Sequence, residues 1–217
     1  MTTRNLTRRL LVPLAVLLAL SGCSAAASPP TEPKLLHLTF DDGPGRATGA
    51  VLDVLADNDA EAVFFALGAD LAQHRDVTRR AIAEGNVVAN HSWAHADLTR
   101  LDPAALDAEL DRTTAALRAV GSTSSCVRPP YGSTNDEVDA RLDDRGLRSV
   151  LWNVDTEDWR RPGASVIAER LVDQASPGAV VLLHDGGGDR SDTVQALRIA
   201  LPKLAAQGYE FTTVPGC

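Results

Sequence analysis

The chain has 217 residues, 44% of them apolar and 23% charged, a composition for one globular domain rather than a disordered or fibrous protein. Its net charge of −8, with no clustered basic face after residue 9, excludes binding to a phosphate backbone and so nucleic acid as a partner. Aromatic residues make up only 4%, which leaves the core to Ala, Val and Leu.

Residues 1–22 read as a leader rather than as part of the fold. Arg4, Arg8 and Arg9 precede the apolar run LVPLAVLLAL, the charged-then-apolar order of a secretory signal. That run is short for a transmembrane helix. The segment Leu20-Ser21-Gly22-Cys23 resembles the bacterial lipobox, in which the cysteine becomes the lipidated first residue of the mature protein. The alternative is an ordinary signal peptide with an incidental cysteine. The expectation is a lipoprotein signal over 1–22, lipidation on Cys23, and a place outside the cytoplasm, anchored to a bacterial cell membrane. Residues 23–34, small, Pro-rich and polar, read as a flexible tether. A single domain then fills residues 35–217. With Cys23 set aside, Cys126 and Cys217 remain, and a pair of thiols outside the cytoplasm tends to oxidise to a disulfide. Two unrelated buried thiols are the alternative.

From Leu35 onward, short β-rich runs alternate with amphipathic helical ones. LLHLTF precedes a helical pattern with Val51, Leu52 and Leu55 on one face, and AVFFAL precedes DVTRRAIAEG, where Gly85 is a helix stop. NVVAN precedes a long helix with Asp102 as its N-cap, Pro103 at its first position and Gly121 at its end. SCVRP, LRSVLWNV, GAVVLLHD and YEFTTV are the later strands, with helical patterns between them, and Pro202 is expected to kink the last helix. About seven such units with near-continuous apolar strands predict an α/β fold, a parallel sheet with helices outside it, either closed as a barrel or open and doubly wound. No GxGxxG follows the first strand, so nothing supports nucleotide binding.

In such folds chemistry sits at the C-terminal ends of the strands. Here those ends carry Asp41 and Asp42, then His91 and His95, then Arg128 in RPPYG, then Asp155 and Asp158 in DTEDW, then His184 and Asp185. Two imidazoles and a carboxylate supply three ligands for a divalent cation and leave positions open for water and substrate. A metal-assisted hydrolase also needs a second carboxylate to take a proton from the attacking water. Adjacent aspartates leaving a strand point to different sides, which would let one face the metal and its neighbour the water. Arg128 is the guanidinium that would keep the carboxylates ionised. His184 would protonate the leaving group, its imidazolium favoured by a buried carboxylate, Asp158 or failing that Asp155. His37 and His74 read as structural, Trp152 as core, Trp93 as packing, and Asp185 as part of a turn.

The ordered set TFDDGP, HSWAH, RPPYG, DTEDW and LLHDG resembles the polysaccharide deacetylases of the NodB-homology type, carbohydrate esterase family four, over essentially all of residues 35–217. The resemblance implies a distorted (β/α)7-type barrel and metal-dependent hydrolysis of acetyl groups on polysaccharide. By motif, Asp41 corresponds to the catalytic base, and Asp42, His91 and His95 to the ligands of zinc, with cobalt or nickel as substitutes. Arg128 would tether the base and Asp158 would tune the acid His184. The Tyr131 N–H would help to stabilise the oxyanion, and Trp159 and Leu182 would line the pocket for the acetyl methyl group.

The substrate expected on this reading is N-acetylglucosamine in peptidoglycan or chitin oligomers, with acetylxylan esterase activity on the same scaffold as the alternative. No protein partner is predicted. A non-catalytic carbohydrate-binding lipoprotein would need none of Asp41, Arg128 and His184. A non-haem iron oxygenase also uses two histidines and a carboxylate, but has no use for the Asp41–Arg128 pair.

Overall fold

The computed structural model describes residues 1–2 and 33–217. Residues 3–22 of the expected leader, the lipidation site Cys23 and most of the tether lie outside the described residues. Among those described, no helix is long and apolar enough to cross a membrane.

The fold is organised around β1 (Lys34–Gly43), whose residues alternate between two environments. Leu36, Leu38 and Phe40 are fully buried in the cluster that also holds Val51, Leu55, Leu197 and Leu201 from the surrounding helices. His37, Thr39 and Asp41, of opposite parity, are also buried and face the other side of the sheet. Burial on both faces is why the strand reads as a nearly continuous apolar run. Each fully buried Leu or Phe here contributes about 1.5–3 kcal/mol.

β2 (Ala62–Ala66) and β7 (Ala179–His184) flank β1, and all pairings are parallel. β3 (Val87–Asn90), β4 (Cys126–Val127) and β5 (Arg148–Ser149) extend the sheet beyond β2, and β6 (Val154–Asp155) extends it beyond β7. β8 (Tyr209–Phe211) pairs with the first residues of β1. The order β5-β4-β3-β2-β1-β7-β6 is a curled parallel sheet with helices outside it, the distorted barrel expected from the motifs.

One expected strand divides. LRSVLWNV becomes two short strands on opposite edges of the sheet: β5 pairs with β4 and β6 with β7. The connecting residues close the gap through one backbone bond from Val150 N–H to Val127 O at 2.9 Å and a reciprocal pair at the other edge, from Asn153 N–H to Val180 O at 3.1 Å and from Val180 N–H to Asn153 Oδ1 at 2.8 Å. A barrel ladder between β5 and β6 is replaced by a crossing segment, in which Leu151 is exposed and Trp152 half-buried.

The helices are α1 (Thr48–Ala56), α2 (Gly68–Leu71), α3 (Arg75–Ala83), α4 (Pro103–Val120), α5 (Asp136–Asp143), α6 (Ala164–Gln174) and α7 (Ser191–Ala206). The ends of α4 follow the sequence signals: the Asp102 carboxylate accepts from Ala105 N–H at 2.8 Å, and Gly121 adopts φ 101°. α7 runs on through Pro202 without a break in its helical assignment. The C-terminus returns to the sheet, with the sulfur atoms of Cys126 and Cys217 within bonding reach and their Cα atoms 5.2 Å apart.

Candidate active site

The strand ends converge on a cavity of about 400 Å³ lined by Asp41, Asp42, His91, His95, Tyr131, Trp152, Asp155, Trp159, Leu182 and His184. Three of the seven non-glycine residues with positive φ among those described line it, Asp42, His95 and Tyr131, and Ser92 directly follows the lining residue His91. Backbone strain concentrated in this way is characteristic of functional sites.

The paired aspartates reach the cavity by a route that differs from simple strand alternation. A regular strand would send Asp41 and Asp42 to opposite faces. Instead the register with β2 slips between Asp41 and Gly43, and Asp42 sits in the irregularity with φ 68°. The bulge turns the second carboxylate back toward the first, so both face the same cavity.

Their environments then diverge. Asp41 Oδ1 accepts from Arg128 Nη1 at 2.8 Å, while Asp41 Oδ2 lies 3.7 Å from His91 Nε2. Arg128 is wholly buried and almost fully engaged: Nη1 also donates to Thr39 Oγ1 at 2.8 Å, Nε to Val150 O at 2.9 Å and Nη2 to Leu151 O at 3.2 Å. Asp42 Oδ1 is buried with no hydrogen-bond partner, yet it stands 3.2 Å from His95 Nε2 and 3.6 Å from His91 Nε2. Burial raises the Asp42 carboxyl, but the His91 ring facing it and the charges of His95, His91 and His184 outweigh that and bring it down to about 2.

A buried carboxylate oxygen without a donor, facing two imidazole nitrogens, is a donor set in want of a cation. One ligand atom from each of Asp42, His91 and His95 falls within a sphere where all lie within 4.8 Å of one another. His91 Nδ1 bonds to Arg128 O at 2.7 Å, which leaves the Nε2 lone pair directed at the site. Burial shifts the pKa of His95 down against the upward pull of Asp42, a direction that favours the neutral, ligating ring. The loop carrying both histidines is fixed by Glu109, whose carboxylate accepts from Trp93 N–H at 2.8 Å and Ala94 N–H at 2.9 Å. The residues fit a divalent cation.

Across the cavity, His184 Nδ1 bonds to Asp158 Oδ1 at 2.7 Å. Asp158 is buried, and its Oδ2 accepts from the His184 N–H at 2.9 Å and from Thr193 Oγ1 at 2.8 Å. Burial pulls the His184 imidazolium down, but the Asp158 bond and the charges of Asp158, Asp41 and Asp42 prevail and raise its pKa above the ordinary value. Asp155, the fallback partner for His184, instead accepts from Glu157 N–H at 2.8 Å. Tyr131 packs edge-on against His95 with ring centroids 4.6 Å apart, and Trp159 and Leu182 complete the wall.

Sequence reasoning missed several participants. Trp152, expected in the core, is half-buried and lines the cavity because the crossing segment carries it there. Glu109 and Thr193 lie on α4 and α7, and no local motif marks either of them. Asp185, expected in a turn, is buried, and burial pushes its carboxyl up to about 7 against the opposing hydrogen bond from Thr48.

The polysaccharide deacetylase family profile matches residues 28–150. The chain belongs to that family. It is 38% identical to a chitooligosaccharide deacetylase of Rhizobium leguminosarum bv. trifolii over 203 residues, 85% of this chain and 92% of that protein. It is 36% identical to a peptidoglycan-N-acetylglucosamine deacetylase of Bacillus cereus over 188 residues, 85% and 88% of the two chains. The solved structure of the peptidoglycan deacetylase PdaC of Bacillus subtilis superposes with a TM-score of 0.79 at 35% identity, covering 84% of this chain and 89% of that one.

Proposed function

We propose that this polysaccharide deacetylase hydrolyses the N-acetyl groups of N-acetylglucosamine units in peptidoglycan or chitin oligomers, with zinc held by Asp42, His91 and His95. The observation that carries the reading is the presence of three devices in one cavity: the histidine–aspartate triad, the Arg128-tethered Asp41, and the Asp158-held His184. A carbohydrate-binding protein needs none of the last two. The names of the relatives, which act on chitooligosaccharide and on peptidoglycan, support the substrate class.

A divalent cation at the triad supplies a Lewis acid that polarises the acetyl carbonyl and acidifies water. Asp41 is the base: with Oδ1 tied to Arg128, Oδ2 is the oxygen free to take a proton from the attacking water. His184 faces the cavity from the opposite wall, and its imidazolium delivers a proton to the leaving nitrogen. Asp158 holds that ring by Nδ1, which leaves Nε2 as the delivering atom. The N–H of Tyr131 donates to the developing oxyanion, and Trp159 and Leu182 enclose the acetyl methyl group. Outside the described residues, the leader and the lipid on Cys23 hold the enzyme at the outer face of the membrane, where peptidoglycan lies. Cys126 and Cys217 form a disulfide in that oxidising setting.

Acetate release from chitopentaose, peptidoglycan and acetylated xylan by the zinc-loaded chain tests the reading. Release from the first two is expected; release from xylan alone would replace the amidase with an esterase, and release from none would remove the catalytic reading altogether.

A further inference from the structure

Asp185 does not line the reaction cavity, nor does Thr48, yet both are almost wholly buried, and Asp185 directly follows the lining residue His184. Thr48 opens α1 and donates its hydroxyl hydrogen to Asp185 Oδ2. The same hydroxyl oxygen accepts from Gly45 N–H at 2.7 Å. On the other side, Asp185 N–H and Gly186 N–H both donate to Asp41 O, at 3.2 and 3.4 Å. These bonds close a circuit. It leaves the ladder of β1 at Asp41, follows the bulge through Asp42 and Gly43 to Gly45, and crosses Thr48 to Asp185. There it rejoins β7 one residue after His184.

The packing around the circuit leaves no slack. A Cβ on Gly43 would stand 2.3 Å from both Asp185 carboxylate oxygens, and a Cβ on Gly186 would stand 1.8 Å from Asp42 O. Asp185 Oδ1 is buried without a partner, an expense in free energy that simple space-filling by an apolar side chain would avoid.

We propose that Asp185 and Thr48 are positioning residues, a clamp that holds the Asp41 and Asp42 carboxylates at a fixed offset from His184. The proposal rests on the roles given to those three residues above. His184 and Asp41 face each other in register across β1 and β7, so any give in the 42–45 loop changes the distance between the base, the metal-binding carboxylate and the acid. Neither clamp residue touches substrate or cation; each acts through the loop.

The decisive variant is Thr48→Val, which keeps the shape and removes only the hydroxyl, with Thr48→Ser as the conservative rescue. Both are made in the full chain. Zinc affinity is measured by competition with a chromophoric chelator, kcat and KM by acetate release from chitopentaose, and folding by the thermal midpoint. In Thr48→Val, kcat is expected to fall about tenfold or more, with KM within about twofold and zinc bound several-fold more weakly. Thr48→Ser is expected to restore both, and Asp185→Asn, which retains an acceptor for the hydroxyl, to fall between. Wild-type kcat and zinc affinity in Thr48→Val would overturn the clamp, as would equal losses in Thr48→Ser. A loss of activity fully accounted for by a smaller folded fraction would overturn it too. If the wild type released no acetate from any polymer, the functional reading would fail, while the zinc comparison between the Val and Ser variants would still decide the clamp.

Discussion

Arg128 Nη1 meets Asp41 Oδ1 at 2.8 Å with the guanidinium wholly excluded from solvent. A buried ion pair of this kind is weak evidence for stability, because desolvation of both groups offsets most of their attraction. Its value lies in geometry. Carbonyls from Val150 and Leu151 and the Thr39 hydroxyl take up the other donors, and the ring of Phe65 lies 4.2 Å beneath the guanidinium carbon. The result is a carboxylate with one oxygen immobilised and the other free, the arrangement that the proposed base needs. Removing the partner leaves Asp41 buried and unpaired, so Arg128→Leu is expected to lower stability by about 3–5 kcal/mol in urea denaturation. Arg128→Lys restores charge but not the fork, and it is expected to recover part of the stability and little of the activity. Equal activity in the Lys variant would remove the geometric argument.

Asp41 and Asp42 are adjacent and chemically identical, yet their substitutions are expected to fail in different ways. Asp42→Ala deletes the orphaned oxygen facing both imidazoles, and zinc affinity measured in the apo chain is expected to drop by at least about 10-fold. Asp41→Asn keeps a side chain of the same shape beside Arg128 and leaves the three ligands intact. It is expected to bind zinc as the wild type does and to lose acetate release by about 100-fold or more. Weakened zinc binding in Asp41→Asn with normal binding in Asp42→Ala would exchange the two roles.

Much of this site is legible in the sequence because its chemistry sits at strand ends, and strand ends are marked by abrupt changes from apolar to polar residues. TFDDGP and LLHDG each show that change within one motif. The Asp42 bulge is not legible, since nothing in Asp-Asp-Gly-Pro specifies a register slip rather than a plain turn. The division of LRSVLWNV into two edge strands also lies beyond local pattern. Its apolar run suits a strand, and only the geometry of closing a curled sheet makes it cross from one edge to the other. That crossing is what carries Trp152 out of the core and into the cavity wall. Partners such as Glu109 and Thr193 are set by how α4 and α7 pack on the sheet, which no motif encodes.

The Asp158–His184 pair gives a pH signature. An acid must be protonated to work, so activity is expected to fall as pH rises through the His184 pKa, which the folded state holds above its ordinary 6.5. Asp158→Asn removes the strongest of the groups that raise it, and the alkaline limb of the kcat profile is expected to move to lower pH. Stability carries the same sign. A raised pKa stabilises the fold fully below the unfolded value and loses that contribution as pH rises through the folded one. The stability gap between wild type and Asp158→Asn is therefore expected to narrow as pH rises above the folded His184 pKa. An alkaline limb unmoved by the substitution would assign the acid to another group.

The Cys126–Cys217 pairing separates stability from catalysis. The two residues are 91 positions apart, so a bond between them closes a long loop and restricts the unfolded chain, an effect of about 2–4 kcal/mol. The bond would also fix the C-terminal tail against β4, where Arg148 Nη2 donates to Pro215 O at 2.7 Å. β4 leads directly into Arg128, two residues after Cys126, which raises the question of whether the bridge also holds the base. The hydrogen bonds answer that it does not: Arg128 is fastened by Thr39, Val150, Leu151 and Asp41, none of which bonds to the sulfur atoms, although Val150 shares an apolar cluster with Cys126. The double substitution Cys126→Ala, Cys217→Ala is therefore expected to lower the urea midpoint while acetate release per folded molecule stays within about twofold. Reductant should reproduce the stability loss in the wild type and leave the double variant unmoved. A fall in activity of the folded double variant would show instead that the tail bears on Arg128.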